Sequence, residues 1–228
     1  MTTPHVSPQQ ALARLRAGNE RFIADTRSLQ ALTSSSRRHE LLESQHPFAT
    51  ILTCSDSRVP VELLFDQGLG DLFVIRVAGN VVAPSLIGSV EYAAEVLGTQ
   101  LVIVMGHSRC GAVKATIDVV RGVSSVPSDN IGDIVERIRP GIATVLSNAG
   151  EHSPAEVLDS AIGANVRHSV KGLRVGSPLV QQRISEGRLI VLGATYDIGS
   201  GRVTFLDVPA ELRQSSATSA RADAAVAP

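Results

Sequence analysis

Four compact apolar runs, each closing on a polar loop and separated from the next by helical sequence, constrain the fold most. They span residues 48–53, 72–77, 101–105 and 189–195. Each is short, predominantly apolar and carries Val, Ile or Leu, as expected of strands buried on both faces. The intervening sequence predicts a short helix after Pro60, helices over 85–97 and 112–121, and several more between 131 and 186. Strands alternating with helices require parallel pairing and right-handed crossovers. After the turn-rich residues 197–201, residues 202–207 read as an antiparallel edge strand. The expected architecture is therefore α/β: a central, mostly parallel sheet of four strands plus an antiparallel edge strand, flanked by helices.

Helix starts are legible at three places. Ser7-Pro8-Gln9-Gln10 combines a cap, an N1 proline and a capping-box glutamine, and Ser153-Pro154-Ala155-Glu156 and Ser177-Pro178 repeat the signal. Leu12, Leu15, Phe22 and Ile23 follow on one face of the first helix, and a second helix is expected over 36–44. The apolar faces of these opening helices suggest packing against a partner subunit. With 228 residues and 43% hydrophobic content, the chain suits a single domain over 1–209. Residues 210–228 are Ala/Ser-rich without apolar periodicity and read as a disordered tail.

A net charge of -1 gives no general attraction to nucleic acid or to an anionic membrane. Residues 1–10 lack a basic stretch followed by an apolar one, and no apolar run nears the ~18 residues of a membrane span. A soluble, cytoplasmic protein is the expectation.

The chemistry concentrates in two loops. Cys54-Ser55-Asp56-Ser57-Arg58 follows the first apolar run, and His107-Ser108-Arg109-Cys110-Gly111 follows the third. The chain's two cysteines both lie here. Cys54, Asp56, His107 and Cys110 offer two thiolates, a carboxylate and an imidazole, a donor set suited to one tetrahedral zinc. Loops at the carboxyl ends of parallel strands are where such folds place their sites. A Cys54–Cys110 disulfide would use the same residues, but no secretory signal supports an oxidising compartment. Two inert buried cysteines would leave Asp56, Arg58 and His107 unexplained. A phosphate loop fails, because Ala112 and Val113 stand where Lys and Ser/Thr are required.

Cys-Ser-Asp-Ser-Arg followed about fifty residues later by His-Ser-x-Cys-Gly resembles the β-class carbonic anhydrases. The likeness continues through Gly70-Asp71-Leu72-Phe73-Val74-Ile75-Arg76, Ala78-Gly79-Asn80 and Glu91-Tyr92-Ala93, and covers about residues 8–208. It implies an enzyme with one Zn²⁺ per chain that interconverts carbon dioxide and bicarbonate, built as a homodimer that can pair into tetramers. The family pattern makes Cys54, His107 and Cys110 constant zinc ligands. Asp56 either completes a closed shell or pairs with Arg58, opening the fourth position to the attacking water and orienting it. The plant-like branch adds Gln45, Phe73, Tyr92 and Gly111 around the substrate. Taken alone, Phe73 reads as core and Tyr92 as a helix-face residue. A second branch binds bicarbonate beside Trp, Arg and Tyr; Arg76 and Tyr196 match, but Ile51 stands in the Trp position and Thr53 replaces a Gly. Two other readings stay open: a carbonyl sulfide or carbon disulfide hydrolase, and a non-catalytic protein with a closed structural zinc.

Overall fold

The computed structural model describes residues 6–26 and 34–213. In chain order the elements are α1 (Pro8–Ile23), α2 (Ser35–Glu40), β1 (Ala49–Thr53), α3 (Val61–Leu64), β2 (Leu72–Arg76), a 3₁₀ turn (Ala78–Asn80) and α4 (Pro84–Glu95). There follow β3 (Leu101–His107), α5 (Gly111–Val120), α6 (Asp129–Ser147), α7 (Pro154–Gly176), α8 (Pro178–Ser185), β4 (Ile190–Tyr196), β5 (Val203–Leu206) and α9 (Ala210–Arg213). The five strands lie in the order β2-β1-β3-β4-β5; β5 pairs antiparallel with β4 and every other pair is parallel. The expected sheet is the observed one.

Alternating side chains explain why both faces are covered. Ile51, Ile103 and Met105 point into a core shared with Leu12, Leu15, Leu64 and Phe65. Their neighbours Leu52, Val102 and Val104 point the other way, onto Val90, Val166 and Leu173. A third apolar cluster, holding Cys54, Cys110, Val113, Ile138 and Ile142, caps the carboxyl ends of the strands.

The predicted caps form as read. Ser7 accepts from the Gln10 amide at 3.3 Å while Gln10 reaches back to the Ser7 amide at 3.1 Å. Ser153 and Glu156 repeat this box at the start of α7. Leu12 and Leu15 of α1 are buried in the chain's own core, and Asn19 donates to the Leu64 and Gly201 carbonyls at 3.1 and 2.9 Å. Two expectations are corrected. Helix α2 stops at Glu40, short of residue 44, and buries none of its residues. Residues 210–213, expected to open the tail, form α9 with Leu212 fully buried; the remaining tail lies outside the described residues. Among the described residues, no helix is long and apolar enough to cross a membrane.

Candidate metal centre

Strands β2 and β3 flank β1 on opposite sides, so the chain reverses its winding between β1 and β3. Open α/β sheets leave a crevice at such a switch point, outside the strand carboxyl ends. Register supplies the rest: Thr53 pairs with Met105, so Cys54 leaves β1 close to where His107 ends β3. Thr53 ties the two strands further, its hydroxyl donating to the Met105 carbonyl at 3.0 Å. Arg109 then turns the chain with φ +58°, and Cys110 becomes the residue before α5.

The result is a buried trio. Ligand atoms of Cys54, His107 and Cys110 all lie within 4.8 Å of one another, and both cysteines are free thiols, which removes the disulfide reading. Fully buried His107 offers an Nε2 atom without a hydrogen-bond partner. An orphaned buried nitrogen costs about 1–3 kcal/mol unless something satisfies it. His107 Nδ1 lies 3.0 Å from the Ser108 carbonyl. A carbonyl can only accept, so Nδ1 carries the proton and Nε2 presents its lone pair to the sulfurs.

The two sulfurs perturb each other in opposite directions. The bond from Cys110 outweighs burial and, with His107 and the Asp56 and Gly79 amides (the latter 3.4 Å away), lowers the Cys54 thiol to about 4. The same bond to Cys54, reinforced by burial, pushes Cys110 up. A divalent cation among these atoms would displace the Cys110 proton and satisfy Nε2. Two thiolates and one neutral imidazole would leave it formally neutral, so the donor set fits zinc.

Asp56 stands outside the trio. Its carboxylate receives Arg58 Nε at 2.9 Å and Nη2 at 2.8 Å, with the Arg58 amide adding a third bond at 2.9 Å. This fork holds the Asp56 carboxyl well below the usual carboxylate range. The nearer Asp56 oxygen is 3.9 Å from His107 Nε2, so the carboxylate borders the trio while remaining on the guanidinium. Sequence reasoning singled out Arg76 only for its match to the bicarbonate branch; here its Nη2 donates to the Asp56 carbonyl at 2.7 Å, pinning the loop to β2. The Gly79 amide was missed, although a Gly-Asn pair with φ of +69° and +45° is a turn signal.

The substrate residues are placed less closely. Phe73 and Tyr92 meet each other, ring centroids 6.2 Å apart, on β2 and α4. Tyr92 is 48% exposed, and Gln45 is exposed before β1. No described contact joins these three to the trio. Gly111 is exposed at the start of α5, with open space where a Cβ would stand. Ile51 is wholly buried in the core.

A chain with this sheet, this switch-point crevice and this Cys-His-Cys group belongs to the carbonic anhydrase family. The family model described as carbonic anhydrase matches residues 49–203. The carbonic anhydrase of Mycolicibacterium smegmatis is 39% identical over 200 residues, covering 88% of this chain and 94% of that one. Carbonic anhydrase 2 of Mycobacterium tuberculosis is 37% identical over 204 residues, 90% of this chain and 95% of its own. Among solved structures, the β-carbonic anhydrase CcaA superposes with a TM-score of 0.70 at 29% identity, covering 86% of this chain and 87% of that one. A Coccomyxa β-carbonic anhydrase in complex with acetazolamide gives 0.69 at 25% identity, with 95% and 99% covered. The class is therefore β.

Proposed function

We propose that the chain is a zinc-dependent enzyme that hydrates carbon dioxide reversibly to bicarbonate and a proton. The observation that carries this reading is His107 Nε2, buried and unpartnered beside two free sulfurs, with a carboxylate parked on an arginine at its border. Cys54, His107 and Cys110 are the ligands in this reading, and Asp56 is the group that comes and goes. Zinc held there supplies the Lewis acidity that brings a water's pKa from ~16 toward neutrality.

The chain's own residues do the rest. Asp56, kept ionised by Arg58, accepts a hydrogen bond from the attacking water and sets its orientation. Arg58 anchors that carboxylate through two donors at a fixed angle, as a guanidinium can and an ammonium cannot. Val77, Val81 and Ala112, in or against the apolar cluster that holds the cysteines, give carbon dioxide an apolar surface. The substrate roles of Gln45, Phe73, Tyr92 and Gly111 rest on their motif positions. A closed structural zinc site is not favoured, because Asp56 is bound to Arg58 and not gathered with the sulfurs.

The same reading extends to assembly and location. Strand β2 is an edge of the sheet, with Phe73 and Val74 half-buried and Tyr92 and Val96 exposed nearby. An open apolar edge of this kind supports a homodimer, with dimers pairing into tetramers as the family resemblance implies. Free thiolate ligands suit a reducing cytoplasm.

The test is stopped-flow hydration of carbon dioxide at pH 8.5 by the wild-type chain and Asp56→Asn. The wild type should show zinc-dependent turnover, and the variant should lose about a hundredfold in kcat/KM while keeping its zinc. Absence of any zinc-dependent rate in the wild type would return the site to a structural role.

A further inference from the structure

Ser108 has every polar group engaged, and the bonds run in two directions. Its amide donates to the Tyr196 carbonyl at 2.8 Å. Its hydroxyl oxygen accepts the Ile198 amide at 2.9 Å, a contact spanning ninety positions of chain. The hydroxyl also faces Asp197, whose carboxyl is held below its ordinary range first by Ser200 and then by Ser108. Asp197 in turn fixes the β4–β5 turn, accepting the Ser200 amide and hydroxyl at 2.7 Å each. In the opposite direction, the Ser108 carbonyl accepts a hydrogen bond from His107 Nδ1–H.

This peptide unit needs holding. Arg109 follows it with φ +58°, a conformation that costs a non-glycine residue about 1 kcal/mol or more and persists only where its surroundings impose it. The surroundings are the β4–β5 turn, and the tie to it is the Ser108 side chain. Without that tie the carbonyl could rotate from the imidazole, and Nδ1 would lose the acceptor that selects its tautomer.

We infer that Ser108 is the positioning residue for His107: its hydroxyl, clamped to the β4–β5 turn, aims its carbonyl so that the imidazole presents Nε2 toward the two sulfurs. The hairpin at the far edge of the sheet thereby sets the geometry of the metal trio. The inference rests on the zinc-site reading above, and the two fail differently. Loss of the zinc reading shows in the wild type, as no stoichiometric zinc; loss of this one shows only in the variants.

The experiment measures zinc affinity, not turnover. Full-length wild type, Ser108→Ala and Ser108→Thr are stripped of metal and titrated with zinc against a chromophoric chelator, with circular dichroism confirming the fold at the titration temperature. Partners behind a metal-bound histidine are worth about ten- to a hundredfold in metal affinity. Ser108→Ala should therefore bind zinc at least about tenfold more weakly while folded, and Ser108→Thr, which keeps the hydroxyl, should stay within about threefold of wild type. A cobalt-substituted Ser108→Ala should also show an altered ligand-field spectrum. Wild-type affinity in Ser108→Ala, or equal weakening in both variants, overturns the assignment. Should Ser108→Ala not fold, imidazole ¹⁵N NMR of the metal-free wild type decides: a proton on Nδ1 supports the assignment and a proton on Nε2 overturns it.

Discussion

Replacing Gly18 by alanine sets two well-known effects against each other. In an exposed helix interior the change stabilises by about 1 kcal/mol. Here Gly18 lies inside α1, where a Cβ would stand 1.7 Å from the Phe65 carbonyl oxygen and 2.6 Å from its carbon. Both are backbone atoms, so no rotamer change relieves the overlap. An ordinary carbon–oxygen contact is about 3.3 Å, so α1 must withdraw by about 1.5 Å. Withdrawal stretches three bonds made by the next residue: Asn19 to the Leu64 and Gly201 carbonyls, and the Val203 amide to Asn19 at 2.9 Å. Each contributes about 1 kcal/mol, and together they outweigh the propensity gain. The variant should be less stable by about 2 kcal/mol, which lowers Tm by about 4–8 °C in a chain of this size. Urea denaturation at one fixed protein concentration measures the difference, with the m-value unchanged. A variant as stable as wild type, or more so, would refute the close approach of α1 to Phe65 and the role given to it in covering the core.

Arg109→Gly removes the cost of a side chain at φ +58° and should stabilise by about 0.5–1 kcal/mol, after the extra chain entropy of glycine is deducted; a destabilised variant would show that the turn is not strained. Glu156 predicts a pH signature. The Ser153 hydroxyl and amide hold its carboxyl below the ordinary range in the folded chain. Its stabilisation is therefore complete above the unfolded carboxyl's pKa and is lost as pH falls through the lower folded one. Wild type should exceed Glu156→Gln in stability at pH 7, with the gap narrowing below about pH 4. A gap independent of pH across that range would contradict the capping role.

What could be read in advance follows from how local each signal is. The strands were legible because burial on both faces leaves predominantly apolar runs, and the observed boundaries differ from the expected ones by a residue or two. Helix starts at Pro8, Pro154 and Pro178 were legible because a cap and its proline are neighbours in sequence. Helix α6 was harder to delimit: it carries Pro140 in its interior, held helical while Val135, Ile138 and Ile142 stay buried on one face. At the site, the identities of Cys54, His107 and Cys110 were plain, and so was the Asp56–Arg58 pairing, since only Ser57 separates the partners. The supports were not. Gly79 to Cys54, Arg76 to Asp56, and Ser108 to Ile198 join segments at the ends of different strands, and the motifs that contain these residues do not say which distant group each one meets. Asn165 is the same case: buried on α7, it donates to the Gly79 carbonyl at 2.8 Å across 86 positions.

The metal content of the purified chain tests the account at its root. Elemental analysis after gel filtration should find about one zinc per wild-type chain and little in His107→Ala, whose cavity leaves two thiols without the imidazole. Wild-type protein that folds, stays intact and carries no stoichiometric zinc when supplied with it would contradict the assignment of the Cys54, His107 and Cys110 group.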